Sequence, residues 1–112
     1  MLGFSSWYEL TDENLEANAP GQKAAIQVRR ADGLVDYPSG KSAMVWYGIA
    51  DDVAGVLRDQ FADELDQPGI RGCGTLEFRY YAGPRPRERI EKVAKRFVQR
   101  FGSPPVFNDA ED

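Results

Sequence analysis

Tyrosine, arginine, lysine and carboxylate side chains must carry any acid–base chemistry in this chain, because its 112 residues include no histidine. That removes the commonest general base and the commonest metal ligand. Cys73 is the single cysteine, so no internal disulfide can form and no oxidising compartment is indicated. With Arg71 its nearest basic neighbour in sequence, the thiol is expected to be inert. One cysteine cannot supply a tetrahedral zinc site, which leaves carboxylate-bound Mg²⁺ as the remaining metal chemistry. Gly40-Lys41-Ser42 has the ending of a phosphate-binding loop, but Val35 stands where that motif needs its first glycine. The triplet also precedes a strand instead of opening a helix, so it is expected to be a turn.

Charge is unevenly distributed. Residues 77–102 hold the basic side chains Arg79, Arg85, Arg87, Arg89, Lys92, Lys95, Arg96 and Arg100 against Glu77, Glu88 and Glu91, in a chain of net charge −4. Residues 51–66 carry six carboxylates against Arg58 alone. A basic face of this kind suits an anionic partner, with Arg79, Arg89, Lys92 and Arg96 as binding candidates. It equally suits a solvated helix whose charges balance the acidic helix, within one molecule or between copies. An acidic protein of pI about 4.8 repels a phosphate backbone at long range, so nucleic acid is the less expected partner. Weak homo-oligomerisation or a protein partner through helix 86–101 is the more expected. Trp46 and Tyr80 are expected in the core. Tyr47 and Tyr81 are expected to keep an exposed hydroxyl, which makes them further binding candidates.

The elements that would position these residues can be read from hydrophobic spacing. Residues 7–20 predict an arm with a short helix or turn capped by Thr11 or Asp12. Residues 24–30 (AAIQVRR) predict a strand, and 31–42 a polar loop. Residues 43–47 (AMVWY) read as a strand buried on both faces. Asp51 and Asp52 cap a predicted helix over 52–65, with Val53, Val56, Leu57, Gln60 and Phe61 on its apolar stripe. Residues 75–81 (TLEFRYY) predict a strand with Leu76, Phe78 and Tyr80 inward and Glu77 and Arg79 toward water. Gly83-Pro84-Arg85-Pro86 forces a turn and places proline at the start of a helix over 86–101, and Gly102 followed by Pro104-Pro105 ends it. Ile26, Val45, Leu57, Phe61, Leu76, Phe78, Val93, Phe97 and Phe101 form the expected core.

The fold class that follows is α+β: a three-stranded, mainly antiparallel sheet flanked by helices in the order β-β-α-β-α, with an N-terminal arm over 1–22 and a frayed tail over 109–112. The length fits one domain over 1–112. The first residues lack a basic flank and a long apolar run, and no stretch approaches the ~20 apolar residues of a membrane span. A cytoplasmic protein without a membrane partner is expected.

This order of elements resembles the GIY-YIG nuclease superfamily. The likeness runs from Trp7-Tyr8-Glu9-Leu10 and Ala19-Pro20-Gly21 through the strand AAIQVRR to Val45-Trp46-Tyr47-Gly48-Ile49-Ala50-Asp51-Asp52. It closes on the last helix and Pro104-Pro105-Val106-Phe107-Asn108, where Asn108 joins the binding candidates. The resemblance implies a phenol to activate the nucleophile, an arginine on the phosphate and a glutamate on one divalent metal. Here the first tyrosine position falls near Ile26 or Gln27, and the second at Trp46, with Tyr47 one place late. The arginine position falls near Val56, with Arg58 two places on, and Gln60 replaces the histidine that usually follows. The glutamate position lies near Lys95 or Arg96, with Glu91 a turn of helix away. The expectation is therefore a catalytically inactive GIY-YIG-like module with no catalytic group, metal or cofactor. One alternative is a divergent Mg²⁺-dependent DNA nuclease using Tyr47, Arg58 and Glu91, with Glu91 on the metal. The other is an unrelated small α+β interaction domain.

Overall fold

The computed structural model describes residues 3–108; the tail expected to fray, 109–112, lies outside them. The chain opens with a two-residue strand, β1 (Tyr8–Glu9). Helix α1 (Asp12–Asn18) follows, and the Thr11 side chain caps it by accepting from the Asn14 N–H. Strand β2 (Ala24–Arg30) is the hub, pairing antiparallel with β5 (Met44–Ala50) and β6 (Leu76–Tyr81). β1 pairs antiparallel with the far side of β6, giving the order β1-β6-β2-β5. The sheet therefore has four strands where the hydrophobic pattern predicts three, because two residues are too short to show alternation.

The predicted loop over 31–42 holds a separate hairpin, β3 (Val35–Tyr37) with β4 (Gly40–Ser42). Gly40-Lys41-Ser42 is thus a strand and not the expected turn; Pro38 and Ser39 turn the chain instead. The helix predicted over 52–65 is two helices, α2 (Val53–Gln60) and α3 (Ala62–Asp66). They meet at Phe61, whose φ of −119° and ψ of 31° leave helical geometry for one residue. That step sends its ring into the core, edge-on to Trp46 at 5.7 Å and to Phe107 at 5.9 Å. Gln60, expected on the apolar stripe, is exposed. Below α3 the carboxylate of Glu64 is only 4% exposed and accepts from the Gly69 and Arg71 backbone N–H groups. Those two bonds fold the 67–74 loop against the domain and satisfy an otherwise costly buried charge.

The sheet divides two packed layers. On one face Ala24, Ile26, Val28, Trp46, Leu76 and Phe78 pack with Leu15, Val53, Leu57 and Phe61 from the α1–α3 side. On the other, Ala25, Tyr47 and Tyr81 pack with Ile90 and Phe97 of helix α4 (Pro86–Phe101). β2 is buried on both faces from Ala24 to Val28, which is why its apolar alternation is loose. A bulge at Val28/Arg29 leaves Val45 unpaired in β5, so Val45 and Trp46, though adjacent, both enter the first layer. Of the expected core, Val93 and Phe101 are only half-buried, at the rim of the α4 layer. No helix among the described residues is long and apolar enough to cross a membrane.

Candidate functional site

Helix α4 begins with Pro86 in its first turn and ends on Gly102, whose φ of 86° lets its N–H reach the Val98 carbonyl. Ile90 and Phe97 anchor it on the sheet, which turns Arg87, Lys92, Lys95, Arg96 and Arg100 to solvent. None of these five forms an ion pair among the described residues. Arg85 pairs with Glu88 at 3.6 Å, and the Arg89 guanidinium lies 4.1 Å above the Tyr81 ring. The carboxylates of α2 and α3 cannot neutralise α4 from within the molecule, because they sit on the opposite layer. There Arg58, the arginine of the nuclease alternative, pairs with Asp12 at 3.2 Å.

The rest of the α4 side of the sheet is polar and partly closed. Arg79, expected to face water, is half-buried: its Nε donates to Gln27 Oε1 at 2.6 Å, and its guanidinium lies between the rings of Phe4 and Trp7, at 4.7 and 4.5 Å. Burial, with the Arg29 cation beside it, lowers its pKa. Glu77, also expected to face water, is half-buried and pairs with Arg29 at 2.9 Å. Arg29 covers Trp7 as well, at 4.1 Å. These cation–π contacts hold the N-terminal arm on the sheet.

The phenols expected to be exposed are not. Tyr81 is 3% exposed and donates its hydroxyl to the Pro84 carbonyl. Tyr47 is 8% exposed, edge-on to Phe97, and burial pushes its pKa up to about 12. A phenol that resists ionisation is poorly suited to activate a nucleophile near neutral pH. Strand alternation hides this in the sequence, because both faces of the sheet are covered. Burial likewise raises the Cys73 thiol.

Tyr47, Glu91 and Asn108 do border one cleft of about 430 Å³ between β5 and α4, with Gly48, Ile49, Ile90, Ala94 and Val98 along it. Arg58 is not brought to it. Glu91 is the one carboxylate there, and Arg87 and Lys95 stand a helical turn to either side of it. A lone carboxylate between two cations does not fit a divalent-metal site. Asn108 has a structural role that its residue type alone does not disclose: its side-chain amide bonds the Tyr47 backbone through both Nδ2 and Oδ1. The cleft itself carries no motif, since Ile49, Ala94 and Val98 read in sequence as ordinary apolar positions. Searches against protein-family models, curated proteins and solved structures gave no match for this chain.

Proposed function

We propose that this chain is a GIY-YIG-like domain without nuclease chemistry, a binding module that presents α4 to a carboxylate-rich protein surface. One observation carries the reading: five exposed α4 cations have no carboxylate partner among the described residues, while the acidic α2–α3 surface lies on the other side of the sheet. The GIY-YIG likeness is supported by the order of elements from β2 onward and by the closing proline–asparagine segment. Three features argue against cleavage: the raised Tyr47 phenol, the distant Arg58 and the cation-flanked Glu91.

A second copy is one such partner. Its α2–α3 carboxylates would meet α4 face to back, a heterologous contact that builds rings or open arrays and not an isologous dimer. Rim charges of this kind are screened by salt. Sedimentation velocity at low ionic strength should show broad, concentration-dependent association that vanishes at high salt and in Lys92→Glu with Arg96→Glu. A salt-independent monomer refutes the self-association. Binding to duplex or single-stranded nucleic acid tighter than about 10 μM at physiological salt, lost in the same variant, would replace the protein partner with a phosphate backbone. Metal-dependent DNA cutting that disappears in Tyr47→Phe with Glu91→Gln would overturn the non-catalytic reading.

A further inference from the structure

Strand β5 is an edge of the sheet. In an antiparallel ladder, alternate residues turn their N–H and C=O toward the neighbour or away from it. Tyr47 turns both away from β2, since Asn108 takes them. Ile49, two residues on and opposite Ala25, therefore also turns its N–H and C=O outward. Among the described residues nothing accepts or donates there. Beside this open position runs the cleft. Its floor is Ile49 and Ala94, one wall is α4 from Arg87 to Val98, and Pro104, Pro105 and Asn108 close one end. Val98 is 41% exposed along it, so α4 presents an apolar stripe that the described residues leave uncovered.

We propose that this cleft binds an extended acidic peptide by strand addition to β5, pairing with the Ile49 backbone. The position beside Tyr47 is already filled by an amide acting as a strand neighbour, so the edge is shaped to accept main-chain hydrogen bonds. Alternate apolar side chains of the peptide would enter between Ile49 and the Ala94–Val98 stripe, the arrangement by which sheet-edge grooves gain both affinity and specificity. The α4 wall spans Arg87 to Val98, roughly 16 Å of helix, which accommodates about five extended residues. Charge selects the occupant. Arg87 and Lys95 rim the cleft against Glu91 alone, which favours carboxylates on the outward side of the peptide. A second copy adding its own β5 would bring its own α4 cations against these, so like charges disfavour it. The proposal rests on the non-catalytic binding character argued above, but on different residues from Lys92 and Arg96.

The test uses the full chain, isotope-labelled for amide NMR. The probe is an end-blocked heptapeptide of alternating valine and glutamate, and its counterpart carries lysine for glutamate. The acidic peptide should shift the amides of Ile49, Ala50, Ala94 and Val98 and bind at least tenfold more tightly than the lysine peptide. N-methylation of alternate peptide nitrogens should abolish binding in one phase and spare it in the other. Ile49→Pro removes the outward-facing N–H together with the isoleucine side chain of the floor, and Ala94→Arg fills the floor; each should weaken binding at least tenfold, with the N-methyl phase isolating the main-chain part. Lys92→Glu with Arg96→Glu should leave it within about threefold while losing self-association, so the two readings can fail separately. Four outcomes would each overturn the proposal: no shift at Ile49, equal binding of the two peptides, indifference to the phase of N-methylation, or binding only after truncation behind Asn108, which would make the chain's own tail the occupant.

Discussion

Asn108 stands beside Tyr47 as the backbone of a further strand would, its Nδ2 donating to the Tyr47 carbonyl and its Oδ1 accepting from the Tyr47 N–H, each at 2.8 Å. The Phe107 N–H donates to the Val45 carbonyl just before it, at 3.0 Å. Together these bonds hold the segment after α4 against β5 and set the end of the cleft. Asn108→Ala leaves both Tyr47 groups without these partners and should cost about 1–3 kcal/mol. Asn108→Asp keeps an acceptor but faces the Tyr47 carbonyl with a carboxylate, and should be no better than alanine. Urea denaturation reads the cost, and amide exchange at Tyr47 reads the cause. An unchanged Tyr47 exchange rate in Asn108→Ala would show that the pair does not hold the edge.

Phe97 is the keystone of the α4 layer. Its ring lies 5.0 Å from Tyr37, 5.7 Å from Tyr47 and 4.6 Å from Phe101. Phe97→Ala should cost ~3–5 kcal/mol, because these flat neighbours are tied by backbone and hydroxyl bonds and cannot collapse into the void. A cost under about 1 kcal/mol by chemical denaturation would contradict the packing described.

Gly48 lies beneath an indole. A Cβ at this position would stand 2.7 Å from Cζ3 and 2.8 Å from Cζ2 of Trp46. Trp46 is itself packed edge-on to Phe61, so the ring has little room to yield. Gly48→Ala should destabilise by ~1–3 kcal/mol through overpacking and change tryptophan fluorescence. An unchanged emission spectrum and midpoint would place the indole elsewhere.

Alkaline pH should weaken the fold. Burial raises the Tyr47 phenol to about 12 from an ordinary 10.0, and raises Tyr37 and Tyr80 in the same direction. The unfolded chain gives up these protons first, so it binds fewer of them over this range. The stability Tyr47 contributes is therefore complete below about pH 10 and is lost as pH rises toward 12, on the order of 2 kcal/mol. Tyr47→Phe should change stability little at neutral pH and flatten this decline. Urea midpoints across the range, with tyrosinate absorbance for the titration, check the sign; a decline as steep in the variant would assign it to other groups.

The repetitive parts of the fold are legible in the residues. Proline at the start and glycine after the end bracket α4 at 86 and 101, and Thr11 and Asp52 cap the helices that follow them. What the residues do not disclose depends on a partner distant in sequence. Arg79 reads as a solvent-facing strand residue until Phe4 and Trp7 fold back over it. Phe61 reads as one more position on a helical stripe, yet the helix breaks there and its ring packs against Trp46 and Phe107. Tyr47 and Tyr81 read as half-exposed because one covered face is the usual case for an antiparallel sheet; α4 covers the second. The cleft is least legible of all, since its donor and acceptor belong to the Ile49 backbone, which any residue type would supply.

An asparagine amide attends each margin of the sheet. At one, Asn108 occupies Tyr47; at the other, Asn14 Nδ2 donates to the Glu9 carbonyl at 2.9 Å on the outer side of two-residue β1. Long unpaired margins are templates on which misassembled chains grow into fibrils. Here each is shortened to a residue or two before a side chain interrupts it. Sheet-to-sheet polymerisation then lacks a continuous run of hydrogen-bonding groups to start from. Loss of either asparagine would lengthen the run of unpaired backbone groups at that margin.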